Sequence, residues 1–152
     1  MLNIREDDLS GEEVRALLSY HLSEMRGSSP PGRSFALDLS GLREPGVTVW
    51  TGWFGDSLAA VGALKALRDG AAEVKSMRTH PEHLRKGAAA ALLEHIISKA
   101  RERGFARLAL ETGSGPAFEA ALSLYRRRGF TEGAPFGDYV ASPFNRFFHL
   151  PL

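Results

Sequence analysis

The apolar residues of the chain change their spacing several times, and each change marks an element. Leu2 to Arg5 reads as a short strand. Val14, Leu17, Leu18, His21, Leu22 and Met25 then return every three or four residues, the spacing of one helix face. Ser10 with Glu13 three residues on predicts a capping box, Leu9 with Val14 a hydrophobic staple, and Gly27 a stop. Ser28-Ser29-Pro30-Pro31-Gly32 is a loop by composition and too short to be a domain linker. Phe35 to Leu42 is expected to hold a short second helix, ended by Pro45-Gly46. Val47 to Phe54, rich in β-branched and aromatic residues, and Leu58 to Leu67 form a hairpin about Gly55-Asp56-Ser57. The turn at Asp69-Gly70 leads into a third strand, Glu73 to Thr79.

The period then lengthens again. Ala88, Ala89, Leu92, Leu93, Ile96, Ile97 and Ala100 make one apolar helix face, and Gly104 ends it. Arg107 to Thr112 is a strand that should run parallel to Glu73–Thr79, because a helix crosses between them. Pro116 opens a last helix with the stripe Phe118, Ala121, Leu122 and Tyr125, stopped by Gly129. Phe130 to Glu132 and Arg146 to Leu150 are late strands. There is no internal repeat, and the order describes one mixed α/β domain over residues 1–152.

Composition narrows the function classes. A chain of 152 residues, 43% hydrophobic and 24% charged, has the make-up of a soluble domain with one substantial core. No apolar run is long enough to span a bilayer, and Met1 to Asp8 turns acidic at once instead of forming a leader. A cytoplasmic location without a membrane partner is the expectation. Lys and Arg number 19 against 18 for Asp and Glu, a net charge of +1 that leaves no electrostatic footprint for nucleic acid. Arg126-Arg127-Arg128 falls in a last helical turn, where positive charge complements the dipole. The absence of cysteine excludes disulfides, thiolate metal sites and a cysteine nucleophile. His80 and His83 alone do not make a closed metal site, so no metal is expected.

Candidate chemistry concentrates between Glu73 and Leu93. There a strand runs through a short loop into a helix that opens on small residues. Unpaired amides at such a start attract anions, and Gly87, Ala88 and Ala89 let a phosphate approach the backbone. Arg85 and Lys86 add positive charge, so a diphosphate suits the segment; tight packing of small residues on a sheet is the other reading. Tyr125 is by spacing a core aromatic of its stripe, and Glu73 and Glu111 are carboxylates near strand ends.

Leu84-Arg85-Lys86-Gly87-Ala88-Ala89 resembles the acetyl-coenzyme A signature Arg/Gln-x-x-Gly-x-Gly/Ala of the Gcn5-related N-acetyltransferases, with Leu84 in place of the leading Arg/Gln. Independently, Leu124-Tyr125-Arg126-Arg127-Arg128-Gly129-Phe130 resembles that family's Leu-Tyr-x-x-x-Gly-Phe. Ser76-Met77-Arg78-Thr79, Glu111-Thr112-Gly113 and Pro135-Phe136-Gly137-Asp138-Tyr139 are similar to a bacterial subgroup labelled indole-acetate acetyltransferases. The resemblance implies an α/β (α+β) fold: a mixed, mostly antiparallel sheet with a splayed parallel pair and helices on both faces. It implies acetyl transfer from acetyl-coenzyme A to the amine of a small molecule or peptide, and dimers are common in such families.

The implied roles follow. Met77, Arg78 and Thr79 would hold the pantetheine arm, and Leu84, Arg85, Lys86, Gly87, Ala88 and Ala89 the diphosphate. Tyr125 would contact the cosubstrate and protonate the departing thiolate, with Glu73 or Glu111 as base. One acceptor wall would be His21 to Phe35, with Glu24 and Arg33; the other would be Pro135 to Asn145, with Tyr139. Trp50, Trp53 and Phe54 are further candidates for the lining, and Arg33 and Arg78 for a carboxylate on the acceptor. The rival of different class is a non-catalytic module that binds coenzyme A or another diphosphate as a sensor.

Overall fold

A computed structural model describes residues 1–152. The alternating stretches pair into one seven-stranded sheet. Its strands are β1 (Leu2–Asp7), β2 (Val47–Phe54), β3 (Ser57–Ala66), β4 (Ala71–Thr79), β5 (Arg107–Thr112), β6 (Thr131–Glu132) and β7 (Arg146–Pro151). The spatial order is β1-β2-β3-β4-β5-β7-β6, antiparallel throughout except for β4 beside β5. The helices are α1 (Glu12–Gly27), the single turn α2 (Leu39–Leu42), α3 (Ala88–Glu102) and α4 (Glu119–Arg128). This is the mixed α/β architecture that the sequence predicts.

Successive side chains of a strand leave opposite faces, so each strand feeds two cores. On one face Trp50, Leu64, Val74, Leu108, Leu110 and Phe148 meet Leu92, Leu93, Ile96 and Ile97 of α3 and Leu122 and Tyr125 of α4. On the other, Val49, Val61 and Ala63 meet Val14, Leu17 and Leu18 of α1. The helices therefore cover both faces, with α1 opposite α3 and α4.

Several local expectations are corrected. Ser10 does not cap α1; its hydroxyl donates to Asp8 Oδ1 at 2.6 Å, and Gly11 stands at the cap position without a side-chain bond. Asp8, two residues before Ser10, competes better than a helix amide because it is already adjacent in the turn. The short second helix expected within Phe35 to Leu42 is a single turn, Leu39–Leu42, begun by Asp38, whose Oδ1 accepts from Gly41 N at 2.9 Å. Pro116 opens a 3₁₀ turn, Pro116–Phe118, and α4 starts only at Glu119.

Two irregularities shape the centre of the sheet. First, β4 and β5 pair through only three residues, Ala71↔Arg107, Ala72↔Leu108 and Glu73↔Ala109. Beyond these β4 stays with β3 as far as Thr79, while β5 stays with β7 as far as Thr112. The strands thus splay, leaving a gap in the sheet. Second, β4 bulges: its register against β3 shifts between Val61 and Ala63, and Ser76 sits at φ +58°. A left-handed conformation at a non-glycine residue costs about 1–2 kcal/mol and here re-aims the strand at the mouth of the gap.

Candidate active site

The gap opens into a cavity of about 560 Å³ that passes from one face of the sheet to the other. Its α3/α4 side is lined by Leu84, Arg85, Gly87, Ala88, Ala89 and Ala90, and across from them by Ala120, Ala121, Leu124 and Tyr125. Its α1 side is lined by His21, Arg33, Phe35, Glu73, Lys75, Arg78 and Glu111.

On the first side the backbone does the work. Gly87 begins α3 at φ +80°, Arg85 lies at φ +62°, and no side chain caps the helix. None of the amides from Leu84 to Ala90 donates to a backbone carbonyl; the first to do so is Ala91, to Gly87 O at 3.0 Å. A Cβ built on Gly87 meets nothing within 4 Å, so the amides stand open. α3 carries no acidic residue in its first turn, leaving its positive dipole end uncompensated. The arrangement is an anion cradle. Lys86 bends away, with Nζ 3.1 Å from His83 Nδ1, and His83 Nε2 is 2.7 Å from Ser57 Oγ. This chain ties the loop to the β2–β3 hairpin.

At the end of β5, Gly113 is packed against aromatic rings. A Cβ there would lie 2.7 Å from Phe118 Cζ and collide with Phe144, so only glycine fits. Tyr125 reaches the gap from α4; its ring is 7% exposed and packs edge-on to Phe130 at 5.7 Å. Burial pushes its hydroxyl up to about 12, opposed only by the positive charge of Arg78. The phenol is protonated over the whole neutral range.

The second side is polar and closed over by two loops. Glu73 is 3% exposed and accepts from Tyr139 Oη at 2.5 Å and from Lys75 Nζ at 3.2 Å. Lys75 also donates to Tyr139 Oη at 2.9 Å and Phe35 O at 3.3 Å. Phe35 meets the Tyr139 ring edge-on at 5.3 Å, and Asn145 Nδ2 donates to Arg33 O at 3.4 Å, so the two predicted walls touch. Burial and the neighbouring Glu73 charge push the Tyr139 hydroxyl strongly upward, which keeps it a donor. Glu111 accepts from Asn145 Nδ2 at 2.6 Å. Burial raises its carboxyl above the usual range despite the Asn145 bond and the Lys75 charge.

His21 is buried on α1 and accepts from Arg78 Nε at 2.9 Å through Nδ1. Burial, then Arg78 and Lys75, push the imidazole down to about 3. His21 therefore stays neutral when folded but takes up a proton near pH 6.5 when unfolded. Between those values the unfolded chain binds more protons, so stability falls as pH drops. From pH 6.5 to 4.5 wild type should lose about 2–3 kcal/mol more unfolding free energy than His21→Gln. Urea titrations at the two pH values measure this; equal losses would place the histidine charge elsewhere.

The structure gathers Met77, Arg78, Thr79, Leu84, Arg85, Gly87, Ala88, Ala89, Tyr125, Glu73, Glu111 and Arg33 around one cavity. Four expected residues lie outside it, the first being Lys86, whose ammonium turns to His83. Glu24 is exposed on α1, where it pushes the neighbouring Tyr20 hydroxyl upward. Trp53 packs on the α1 core, its Nε1 donating to Thr51 Oγ1 at 2.8 Å with Arg5 stacked 4.3 Å from the ring centre. Tyr139 stands behind Glu73 and Lys75 rather than in the lining. Trp50 and Phe54 are likewise elsewhere, Trp50 beneath α3 and Phe54 against His83. The basic run divides its tasks: Arg128 pairs with Glu94, Arg126 lies over Phe148, and Arg127 reaches the cavity. Sequence reasoning assigned no role to Lys75 or Ser76, and named Asn145 only as the end of the second acceptor wall. Lys75 was findable, since Glu and Lys at i and i+2 of an apolar strand share a face; Ser76 and Asn145 carried no such signal.

A family model described as the acetyltransferase (GNAT) family matches residues 14–130. The chain is 47% identical over 152 residues to YedL, an uncharacterized N-acetyltransferase of Escherichia coli K12, covering 100% of this chain and 96% of that protein. It is 49% identical over 142 residues to YsnE, an uncharacterized N-acetyltransferase of Bacillus subtilis 168, covering 93% and 94% of the two chains. The IAA acetyltransferase of Azospirillum brasilense is 32% identical over 97% of this chain and 95% of its own. Among solved structures, one from Klebsiella pneumoniae labelled an acyl-CoA N-acyltransferase superposes with a TM-score of 0.84 at 27% identity, covering 100% and 98% of the chains. A Bacillus subtilis acetyltransferase in complex with CoA shares the fold, with a TM-score of 0.76 at 22% identity over 100% and 99%.

Proposed function

The chain belongs to the acetyltransferase (GNAT) family, and on that premise we propose that it moves an acetyl group from acetyl-coenzyme A to a primary amine by direct attack. The observation that carries the reading is the anion cradle at Gly87, which opens into the same cavity as Tyr125 and Glu111. The residues present fit the cosubstrate: open amides from Leu84 to Ala90 suit a diphosphate, and the small faces of Ala120 and Ala121 leave room for a narrow arm. Bound there, acetyl-coenzyme A supplies an activated acetyl thioester.

The amides and the α3 dipole hold the diphosphate, with Arg85 beside them. Met77 to Thr79 offer backbone groups to the pantetheine arm along the splayed edge of β4. A backbone amide near Met77 polarises the thioester oxygen as negative charge develops. Glu111 takes the proton of the attacking amine, because its raised carboxyl suits a base and only a neutral amide holds it. Glu73 is committed to Lys75 and Tyr139 and fixes the floor of the acceptor side. Tyr125 gives its proton to the departing thiolate.

Titration calorimetry with acetyl-coenzyme A, followed by thiol release over a panel of amines, tests the reading. Wild type should bind and turn over at least one amine; binding with no turnover on any amine would leave the sensor. Gly87→Val should weaken binding at least about tenfold, since a β-branched residue at φ +80° costs about 1–2 kcal/mol and projects into the cradle. Unchanged affinity in that variant would move the diphosphate away from α3.

A further inference from the structure

We propose that the acceptor carries a carboxylate beside its amine, and that Arg78 holds it. The proposal rests on the acetyl-transfer reading and assigns the substrate class of the same cavity.

Arg78 is half-buried in the cavity wall on the α1 side, where its Nε donates to His21 Nδ1 at 2.9 Å. That partner is an imidazole, which orients the guanidinium plane without neutralising it. None of the ion pairs within 4.0 Å involves Arg78. The Tyr20 ring backs it, with Cζ 5.6 Å from the ring centre, and the exposed Glu24 adds a favourable charge from outside the 4.0 Å range of an ion pair. The two terminal nitrogens make no hydrogen bond to the protein and form a planar fork, the geometry that matches a carboxylate. A guanidinium held this way loses hydration without gaining a counter-ion. A bound anion removes that deficit.

The other charges of the cavity point the same way. Lys75 has three acceptors for its three protons, in Glu73, Tyr139 and Phe35, so it offers nothing to a ligand. Glu73 is neutralised by that same lysine. Glu111 has only the neutral Asn145 amide. The acceptor side therefore presents one half-buried cation outside any ion pair, Arg78, with the exposed Arg33 at its rim, and one carboxylate outside any ion pair, Glu111. A small zwitterion, an amine for Glu111 and a carboxylate for Arg78, complements both. Arg33, exposed at the rim, adds positive potential on the same approach. A volume of about 560 Å³, shared with the cosubstrate arm, favours a free amino acid or similar amino carboxylate over a folded protein surface.

The test is thiol release with matched acceptors, a set of α-amino acids against their primary amides and the corresponding amines lacking the carboxyl. Wild type should prefer the acids by roughly 100-fold in kcat/KM, because the amide leaves the half-buried fork without its anion. Arg78→Gln should bring the acid and amide within about threefold, while Arg78→Lys keeps part of the preference through its charge. Circular dichroism and a urea midpoint near wild type serve as the folding control, and the acid-to-amide ratio of wild type decides the matter even where a variant fails it. Amides or simple amines used as well as acids would overturn the carboxylate site and leave acetyl transfer standing. Acetyl-coenzyme A binding with no amine turned over fails the acetyl-transfer reading instead. In that case calorimetry of the same amino acids on the acetyl-coenzyme A complex decides: uptake lost in Arg78→Gln supports the site, and no uptake by wild type overturns it.

Discussion

Tyr125→Phe is expected to lower kcat by roughly 10²–10⁴ while leaving the affinity for acetyl-coenzyme A near wild type. The substitution removes one oxygen and keeps the ring that packs on Phe130 and Leu122 in the α3/α4 core. Stability should therefore change little. The hydroxyl is raised to about 12, so it is present as the acid at every pH where the fold can be assayed. Two consequences separate this from a packing effect. The loss should appear in kcat and not in binding, and no alkaline limb from Tyr125 should enter the wild-type profile below about pH 11. A Phe variant turning over at the wild-type rate removes the phenol from the chemistry and assigns the proton to water.

Glu111→Gln is expected to cost roughly 10²–10⁴ in kcat/KM near pH 7, the usual worth of a positioned base. The sign of the pH dependence follows from its environment. Burial raises the carboxyl above 4.5, and the ionised form accepts the amine proton. Wild-type kcat/KM should therefore rise with pH through a limb displaced upward from the ordinary carboxylate range. Gln should abolish that limb while still accepting from Asn145, so the wall between Arg33 and Glu111 persists. A limb retained in the Gln variant would point to Glu73 or to the amine itself.

Much of the machinery on the α3/α4 side was readable along the chain, because its parts lie close in sequence. A strand, a short loop and a run of small residues from Gly87 to Ala91 announce exposed amides without any knowledge of distant contacts. For Tyr125, spacing gave only a core aromatic, and it was the resemblance of Leu124–Phe130 to the family's motif that implied the residue at the gap. The α1 side was less legible. Trp53 had the composition of a pocket residue, yet strand alternation and the packing of Arg5 turn it toward the other end of α1. Glu24 had the right segment and the wrong side of its helix.

Local sequence alone settled the succession of elements and the parallel crossover, and offered the amide cradle beside tight small-residue packing, since periodicity, turn chemistry and helix-end electrostatics act within a few residues of one another. Tertiary structure alone decided where the sheet parts, which carboxylate is spent on Lys75, and which half-buried cation is left outside any ion pair. Those outcomes depend on the end of β4–β5 pairing after Glu73, on a bulge at Ser76, and on contacts such as Glu73 with Tyr139 and Arg78 with His21, 66 and 57 residues apart along the chain. Charge compensation is a property of groups brought together by folding, and no period in the chain encodes it.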